Sequence, residues 1–252
     1  MNKSGSTSDM KNLLSIITVT KNSTSYLHDL IIDLNNQDDL EFIWIVVDGG
    51  SDDGTSDLIS KECKISTLKI KENDCGIYDA LNKGIKLCPT EYYIVCGSDD
   101  HLNPNAISSV KKNIVESYYP DLVLSSMHLG TRPVTAFWGS KFTWLGADRI
   151  VAGHSVGMAI RKSLHAQLGY YRTDLSQAAD AAFIYKLYSN QVSHCINNKF
   201  VGKFNTSGIS NTGKLKQICE TLQVQIESNC SPFLVFLTFT IRFFRFLRQL
   251  KK

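Results

Sequence analysis

Apolar runs and amphipathic stretches alternate through the first half of the chain. Residues 13–19, LLSIITV, are continuously apolar, of strand length and rich in β-branched side chains. Residues 25–37 place Leu27, Leu30, Ile31 and Leu34 at helical spacing, and FIWIVVD (42–48) predicts a second strand. A helix is expected over Asp52–Cys63 with Ser51 as its cap, then a short strand over 68–74. Residues 76–88 carry Ile77, Leu81, Ile85 and Leu87 on or near one helical face. EYYIVCG (91–97) predicts a fourth strand, followed by a helix near Asn105–Ser117. Continuous apolar strands separated by helices indicate an α/β fold, a mostly parallel sheet covered on both faces.

The second half is less regular. Strands are expected over 121–129 and 133–138, and residues 153–162 lead to a helix around Ser163–Leu168. Residues 175–190 form a good amphipathic helix, and no linker, repeat or low-complexity segment divides the chain. Residues 1–12 are polar without an apolar signal core and read as a flexible tail. With seven cysteines, no Cys-x-x-Cys pair and no export signal, the thiols are expected to be reduced, in the cytosol.

Charge changes the picture at one end only. The formal net charge is +3, yet residues 233–252 hold Arg242, Arg245, Arg248, Lys251 and Lys252 without an acid. That excludes a broadly basic surface for nucleic acid and points to a localised contact. The uninterrupted apolar part, Phe233–Ile241, is nine residues, well short of the ~20 that span a bilayer. A wheel sets Arg242, Arg245, Arg248 and Lys252 opposite Phe243, Phe246, Leu247 and Leu250, the pattern of a helix lying in an anionic membrane interface. A terminal helix docked on the domain or on a second subunit is the alternative.

In an open parallel sheet, ligands bind beyond the carboxyl ends of the strands. Those ends carry Thr18, Thr20 and Lys21; Asp48-Gly49-Gly50-Ser51; Glu72-Asn73-Asp74; and Ser98-Asp99-Asp100. DGGSDDGT (48–55) has neither the Gly-Lys-Ser/Thr ending of a phosphate loop nor Gly-x-Gly-x-x-Gly spacing. Two adjacent aspartates at a strand end are either a solvated turn or a site where a cation meets something anionic. Asp180 lies within AADAAFIYKL, where a carboxylate is costly unless it serves as a base or faces water.

SIITVTKN, IVVDGGSDDGT, ENDCGIYDALNKGI and CGSDDHLNPN, in that order, resemble family 2 glycosyltransferases of GT-A fold, among them bacterial members that build cell-surface polysaccharides. The likeness is strong over residues 13–110 and looser over 150–190. It implies a Rossmann-like GT-A domain over 13–230, with a nucleotide-sugar half (13–120), an acceptor half (121–230) and the basic amphipathic helix of 231–252 behind them. It further implies that Thr18 and Thr20 line the nucleotide pocket, that Asp48 holds the base, and that Asp74 helps at nucleotide or sugar. Ser98-Asp99-Asp100 matches the metal motif usually written Asp-x-Asp: Asp100 becomes the leading ligand of Mn²⁺ or Mg²⁺, and Asp99 faces ribose, donor sugar or the same metal. Asp180 matches the general base, and His154 a histidine on the acceptor side, although a structural histidine there is almost equal in merit. Tyr78, Asn82 and Lys83 lie on the helix after Gly76, with only its first turn expected near the sugar.

The implied reaction is inverting transfer of a hexosyl or N-acetylhexosaminyl group from a nucleotide-diphosphate-sugar, UDP-linked by default, to an acceptor hydroxyl. The implied acceptor is a polyprenyl-diphosphate-linked saccharide at the inner face of the cytoplasmic membrane. A catalytically silent GT-A module that binds a sugar or protein is the rival reading, opposed by the intact aspartates. A nucleotidyltransferase lacks its expected basic, glycine-rich loop after the first strand.

Overall fold

A computed structural model describes residues 13–139, 142–206 and 213–250. The expected tail over 1–12 and the two terminal lysines lie outside them. The strands are β1 (Leu14–Thr20), β2 (Ile43–Asp48), β3 (Thr67–Lys71), β4 (Tyr92–Val95), β5 (His101–Leu102), β6 (Leu122–Leu129), β7 (Arg132–Val134), β8 (Met158–Arg161) and β9 (His194–Phe204). The helices are α1 (Thr24–Asn35), α2 (Thr55–Glu62), α3 (Ile77–Leu87), α4 (Ala106–Glu116), α5 (Leu164–Leu168), α6 (Ala179–Ser189), α7 (Lys214–Glu227) and α8 (Pro232–Leu250).

All nine strands form one sheet in the order β3-β2-β1-β4-β8-β6-β9-β5, with β7 paired to β6. The run β3-β2-β1-β4 is parallel, as is the β6/β9 pair. Strand β8 enters antiparallel between β4 and β6, so the two halves of the chain share one sheet. Helices α1, α2 and α4 cover one face through Leu27, Leu30, Ile31, Ile59, Ile107 and Val110. Helices α3, α5 and α6 cover the other through Leu81, Ile85, Leu164, Phe183 and Leu187. Gly84 lets α3 lie close on the sheet, since a Cβ there would stand 2.7 Å from Ile17 Cγ2. Ile77 and Leu87 are exposed, so the buried stripe of α3 is narrower than its apolar pattern predicts.

Two start signals differ from expectation. Helix α2 begins at Thr55, behind Gly54 at φ +90°, because Asp53 accepts the Thr55 amide while Ser51 turns back to Asp48. Helix α6 has no capping side chain of its own. The chain entering it is held from α7: Glu220, buried at 6 % exposure, accepts the amides of Ser176, Gln177 and the N-cap residue Ala178, and the Ser176 hydroxyl. An anion at a helix N-terminus also meets the favourable end of the dipole.

The C-terminal helix docks by one face and leaves the other bare. Val235 and Thr238 are buried, and Arg242 donates to the Leu145 carbonyl. Phe233, Phe236 and Phe244 are 78 %, 65 % and 58 % exposed, with Leu237 and Ile241 beside them. The expected division into an all-basic and an all-apolar face is therefore corrected: one arginine faces the domain, and the outward stripe is apolar, flanked by Arg245 and Arg248. No helix among the described residues is long and apolar enough to cross a membrane.

Replacing Glu220 with Ala leaves three amides without their acceptor and should cost about 2–4 kcal/mol in chemical denaturation. A loss below about 0.5 kcal/mol, the scale of an ordinary surface change, would mean that α6 starts without this cap.

Candidate active site

The parallel register lines up the strand ends. Thr20 pairs with Asp48, and Asp48 with Lys71, so the last residues of β1, β2 and β3 share an edge. Gly49 lies against the loop after β3: a Cβ on it would stand 2.5 Å from Asp74 Oδ2 and 3.5 Å from Lys21. Three of the expected loops thus meet at one glycine.

Asp48 is 3 % exposed. Its Oδ1 accepts the Ser51 amide at 2.8 Å and the Ser51 hydroxyl at 2.6 Å, and its Oδ2 accepts the Ser56 hydroxyl at 2.9 Å. Burial alone would raise its pKa; the Ser51 and Ser56 bonds and the Lys71 charge outweigh that and hold it below the usual carboxylate range. Asp74 is half-buried and accepts the Gly76 amide at 3.0 Å. Thr20 is buried, and its hydroxyl has no partner among the described residues, a cost of about 1–3 kcal/mol that a ligand hydrogen bond would remove. Thr18 is different. It is 0 % exposed and accepts the Trp44 indole N–H at 3.0 Å, so it belongs to the core beneath the pocket, a correction to its expected place in the wall.

The adjacent aspartates separate into two kinds. Asp100 is 2 % exposed and accepts the Gly97 amide (2.8 Å), the Ser155 hydroxyl (3.0 Å) and the Asn205 amide (2.9 Å). Burial raises its pKa against the pull of the Asn205 and Gly97 bonds, and the Asp99 charge adds to the rise. Asp99 is half-open and has no hydrogen-bond partner among the described residues. The described residues thus occupy the Asp100 oxygens with three donors and leave those of Asp99 open. No three His, Cys, Asp or Glu side chains gather into a cation cage among the described residues. This donor set fits Mn²⁺ or Mg²⁺ arriving with a diphosphate, since such ions take one or two carboxylates plus substrate oxygens.

Asp180 stands half-buried in the first turn of α6, and its Oδ1 accepts the Tyr78 hydroxyl at 2.9 Å. Burial, then the charge of Asp180, raises the Tyr78 pKa well above its ordinary value, so Tyr78 remains a donor. This contact brings the expected base to the first turn of α3 and so to the strand-end edge. Farther along α3, Asn82 holds the Tyr171 backbone at both N and O, and Lys83 pairs with Glu72 and Asp79; both are structural.

His154 completes the arrangement through a buried hydrogen-bond chain. The Gly169 carbonyl can only accept, so at 3.1 Å it fixes the proton of neutral His165 on Nδ1. His165 Nε2 then accepts from Tyr93 (2.6 Å), Tyr93 from Tyr171 (3.2 Å), and Tyr171 from His154 Nε2–H (2.7 Å). Neutral His154 is thus left with a bare Nδ1 lone pair. Burial lowers its pKa, opposed by the Asp180 charge. Ser155, the next residue, holds Asp100, so one short segment joins the Asp99–Asp100 corner to the neighbourhood of Asp180.

The family-wide sequence profile described as Glycosyl transferase family 2 matches residues 15–191. The chain belongs to glycosyl transferase family 2. Among curated relatives, the PGL/p-HBAD biosynthesis glycosyltransferases of Mycobacterium bovis (strain BCG / Pasteur 1173P2) and Mycobacterium tuberculosis (strain ATCC 25618 / H37Rv) are each 26 % identical over 185 residues, 71 % of this chain and 70 % of theirs. Among solved structures, S. aureus TarS 1-349 in complex with UDP-GlcNAc superposes with a TM-score of 0.66 at 19 % identity, over 93 % of this chain and 73 % of that one. The mannosyltransferase PcManGT of Pyrobaculum calidifontis, in complex with GDP-Man and Mn²⁺, gives 0.62 at 15 % identity, over 85 % and 63 %. The fold is GT-A.

In this family 2 chain, His165 lies stacked between Tyr170 and Phe183, and burial holds its pKa down at about 4. Below the unfolded value near 6.5, the unfolded chain takes up a proton that the folded one refuses. Stability should therefore fall as pH drops from 7, by about 2 kcal/mol at pH 5. In His165→Gln, denaturation curves at pH 7 and 5 should show a fall smaller by that amount; an unchanged pH slope would remove His165 as its source.

Proposed function

We propose that this enzyme transfers a hexosyl or N-acetylhexosaminyl group, with inversion, from a nucleotide-diphosphate-sugar to a hydroxyl of a lipid-linked saccharide used in surface-polysaccharide assembly. The observation that carries the reading is Asp180. One of its oxygens is held by Tyr78, and the other is without a protein partner among the described residues, beside an edge that carries Asp48 and Asp99. Asp48 has the chemistry to hold the nucleotide base, and Asp74 and Thr20 to hold ribose or phosphate. The free oxygen of Asp180 takes the proton of the acceptor hydroxyl as that oxygen attacks the anomeric carbon from the face opposite the leaving diphosphate. His154, with its Nδ1 lone pair, receives a hydrogen bond from a sugar hydroxyl on the acceptor side. Asp99, with Asp100 behind it, would hold Mn²⁺ or Mg²⁺, which neutralises charge on the departing nucleotide.

The donor is assigned as UDP-linked from the likeness to TarS, whose structures are described with UDP and UDP-GlcNAc; the GDP-Man complex of PcManGT keeps GDP-linked sugars in the test. The acceptor is taken as lipid-borne, a polyprenyl-diphosphate-linked saccharide, from the resemblance of the sequence motifs to enzymes that build cell-surface polysaccharides. The outward apolar stripe of α8 suits attachment at the inner face of the cytoplasmic membrane.

Incubation with a panel of nucleotide sugars and Mn²⁺, with and without lipid acceptor, tests the reaction. No nucleotide release from any donor would favour a silent binding module. Asp180→Asn should keep donor affinity within about threefold and cut turnover by roughly 10²–10⁴. Asp99→Asn should lose metal-dependent nucleotide binding in calorimetry. The opposite pair of results would overturn the assignment of roles.

Because α8 also packs on the domain, its membrane role is tested by substitution rather than truncation. Phe236→Ser combined with Phe244→Ser should leave donor hydrolysis intact and reduce co-flotation with anionic liposomes. Unchanged flotation would take the membrane away from this face.

A further inference from the structure

Away from the strand-end edge, a cleft of about 270 Å³ opens between α8 and two short 3-10 turns, Thr143–Leu145 and Ala147–Arg149. Its walls are Leu145, Asp148, Arg149, Thr238, Ile241, Arg242 and Arg245. Three arginines and one aspartate therefore line one small space with Leu145, Thr238 and Ile241. The acid does little to balance them: Asp148 pairs only with Arg149, at 3.7 Å, and both side chains are more than half exposed. Arg242, partly covered by the domain, spends its bond on the neutral Leu145 carbonyl, and neither it nor Arg245 has an acidic partner among the described residues. Gly146, at φ +143°, brings the turn close to both kinds of charge: a Cβ there would stand 2.5 Å from Asp148 Oδ1 and 3.2 Å from Arg242 Nη2. Three arginines against one aspartate leave the cleft net positive, which favours an anion, and the planar guanidinium fork matches phosphate oxygens.

The cleft has a second property. Ile241 belongs both to its wall and to the exposed stripe of Phe233, Phe236, Leu237 and Phe244. That stripe runs about 16 Å along the helix. A free inorganic anion would use the arginines alone, and a purely apolar partner the phenylalanines alone. Only an amphiphile with a phosphate head and a hydrocarbon chain uses both.

We propose that this cleft is a binding site for the phosphate head of a prenyl-phosphate-type lipid, with the chain laid along the outward face of α8. The use of that lipid to anchor the acceptor rests on the glycosyl-transfer reading; the cleft itself does not. Helix α8 then has a specific headgroup site in addition to a general affinity for membranes.

Calorimetry of the full chain with farnesyl diphosphate, in saturating UDP and Mn²⁺ so that the active site is filled, tests it. Arg149→Gln and Arg245→Gln should each weaken binding by about tenfold. Arg248→Gln, which removes the same charge from the same helix outside the cleft, should change it by less than about twofold. Inorganic pyrophosphate and farnesol should each bind at least about tenfold more weakly than farnesyl diphosphate. Equal losses in all three variants would reduce the effect to diffuse charge and overturn the site. Equal affinity for pyrophosphate would overturn the lipid. Sedimentation showing a concentration-dependent dimer that Phe236→Ser abolishes would give the apolar stripe to a second copy of the chain and overturn the proposal. Transfer to a water-soluble acceptor is measured separately: its absence removes the glycosyl-transfer reading and leaves the farnesyl diphosphate result standing.

Discussion

The carboxylate of Asp100 ties together three pieces of chain, the farthest of them 105 residues from it. It receives the Gly97 amide from its own turn, the Ser155 hydroxyl from the approach to β8, and the Asn205 amide from just beyond β9. Burying a carboxylate is expensive, and three directed donors offset that cost only if all three segments stay in place. The bond network is thus a constraint on geometry. It holds the turn that presents Asp99 and the segment that carries His154, and it closes β4, β8 and the end of β9 into one rim. This also resolves why two like charges stand side by side at a strand end. One has been converted into an internal tie, and the other is left with its oxygens open.

The same device recurs around the candidate base. Helix α6 starts without a cap of its own, and Glu220 supplies one from α7; Tyr78, on α3, fixes one oxygen of Asp180. One support holds the backbone entering α6, from Ser176 to Ala178, and the other holds a side chain in its first turn. A carboxylate positioned from two directions needs little reorganisation when it receives a proton, which is the sense in which a site is preorganised. The hydrogen-bond chain from Gly169 to His154 works alike, because the acceptor-only carbonyl at one end sets the direction of every proton along it.

What the sequence revealed follows from how local each signal is. Strands β1, β2 and β4, buried on both faces, were legible as continuous apolar runs, and α1 as a periodic stripe. Strand β9, HCINNKFVGKF, was not: its polar residues mask the alternation, and it is fixed by pairing with β6 and β5. Two-residue β5 has no periodicity to read. Helix α7 is not legible because its buried positions, Glu220, Val224 and Gln225, are mostly polar, and Glu220 and Gln225 are held by partners on other elements. Among site residues, Asp48, Asp99 and Asp180 could be found because acidic residues ending or interrupting apolar segments are locally anomalous. Glu220 could not, and Tyr78 was legible only as part of the first turn of α3 and not as the partner of Asp180, since their meaning lies in contacts 42–44 and 102 residues away. Thr18 and Asp100 mark the converse limit: a motif gives a residue's position along a strand, whereas burial and partners decide whether its polar atoms are free.

The C-terminal helix shows why an amphipathic pattern leaves one question open. A wheel gives the angle of each side chain about the axis, and a basic arc opposite an apolar arc invites the assumption that the apolar arc packs inward or into lipid as a whole. Here the domain takes Val235, Thr238 and Arg242 along one side. The remaining phenylalanines are divided, Phe239, Phe243 and Phe246 half-covered and Phe233, Phe236 and Phe244 left out. Exposed apolar side chains at single positions are ordinary on a protein surface. Five in one stripe, with arginines at its edge and a cleft that joins one of them, Arg245, to Arg242 and Arg149, are not accounted for by packing among the described residues. Helix α8 is bound to the domain strongly enough to have a fixed orientation, and that orientation turns its most hydrophobic side away from the protein. A docked helix with an unsatisfied face can hold a membrane surface at a set angle to the catalytic edge, which a free tail could not do.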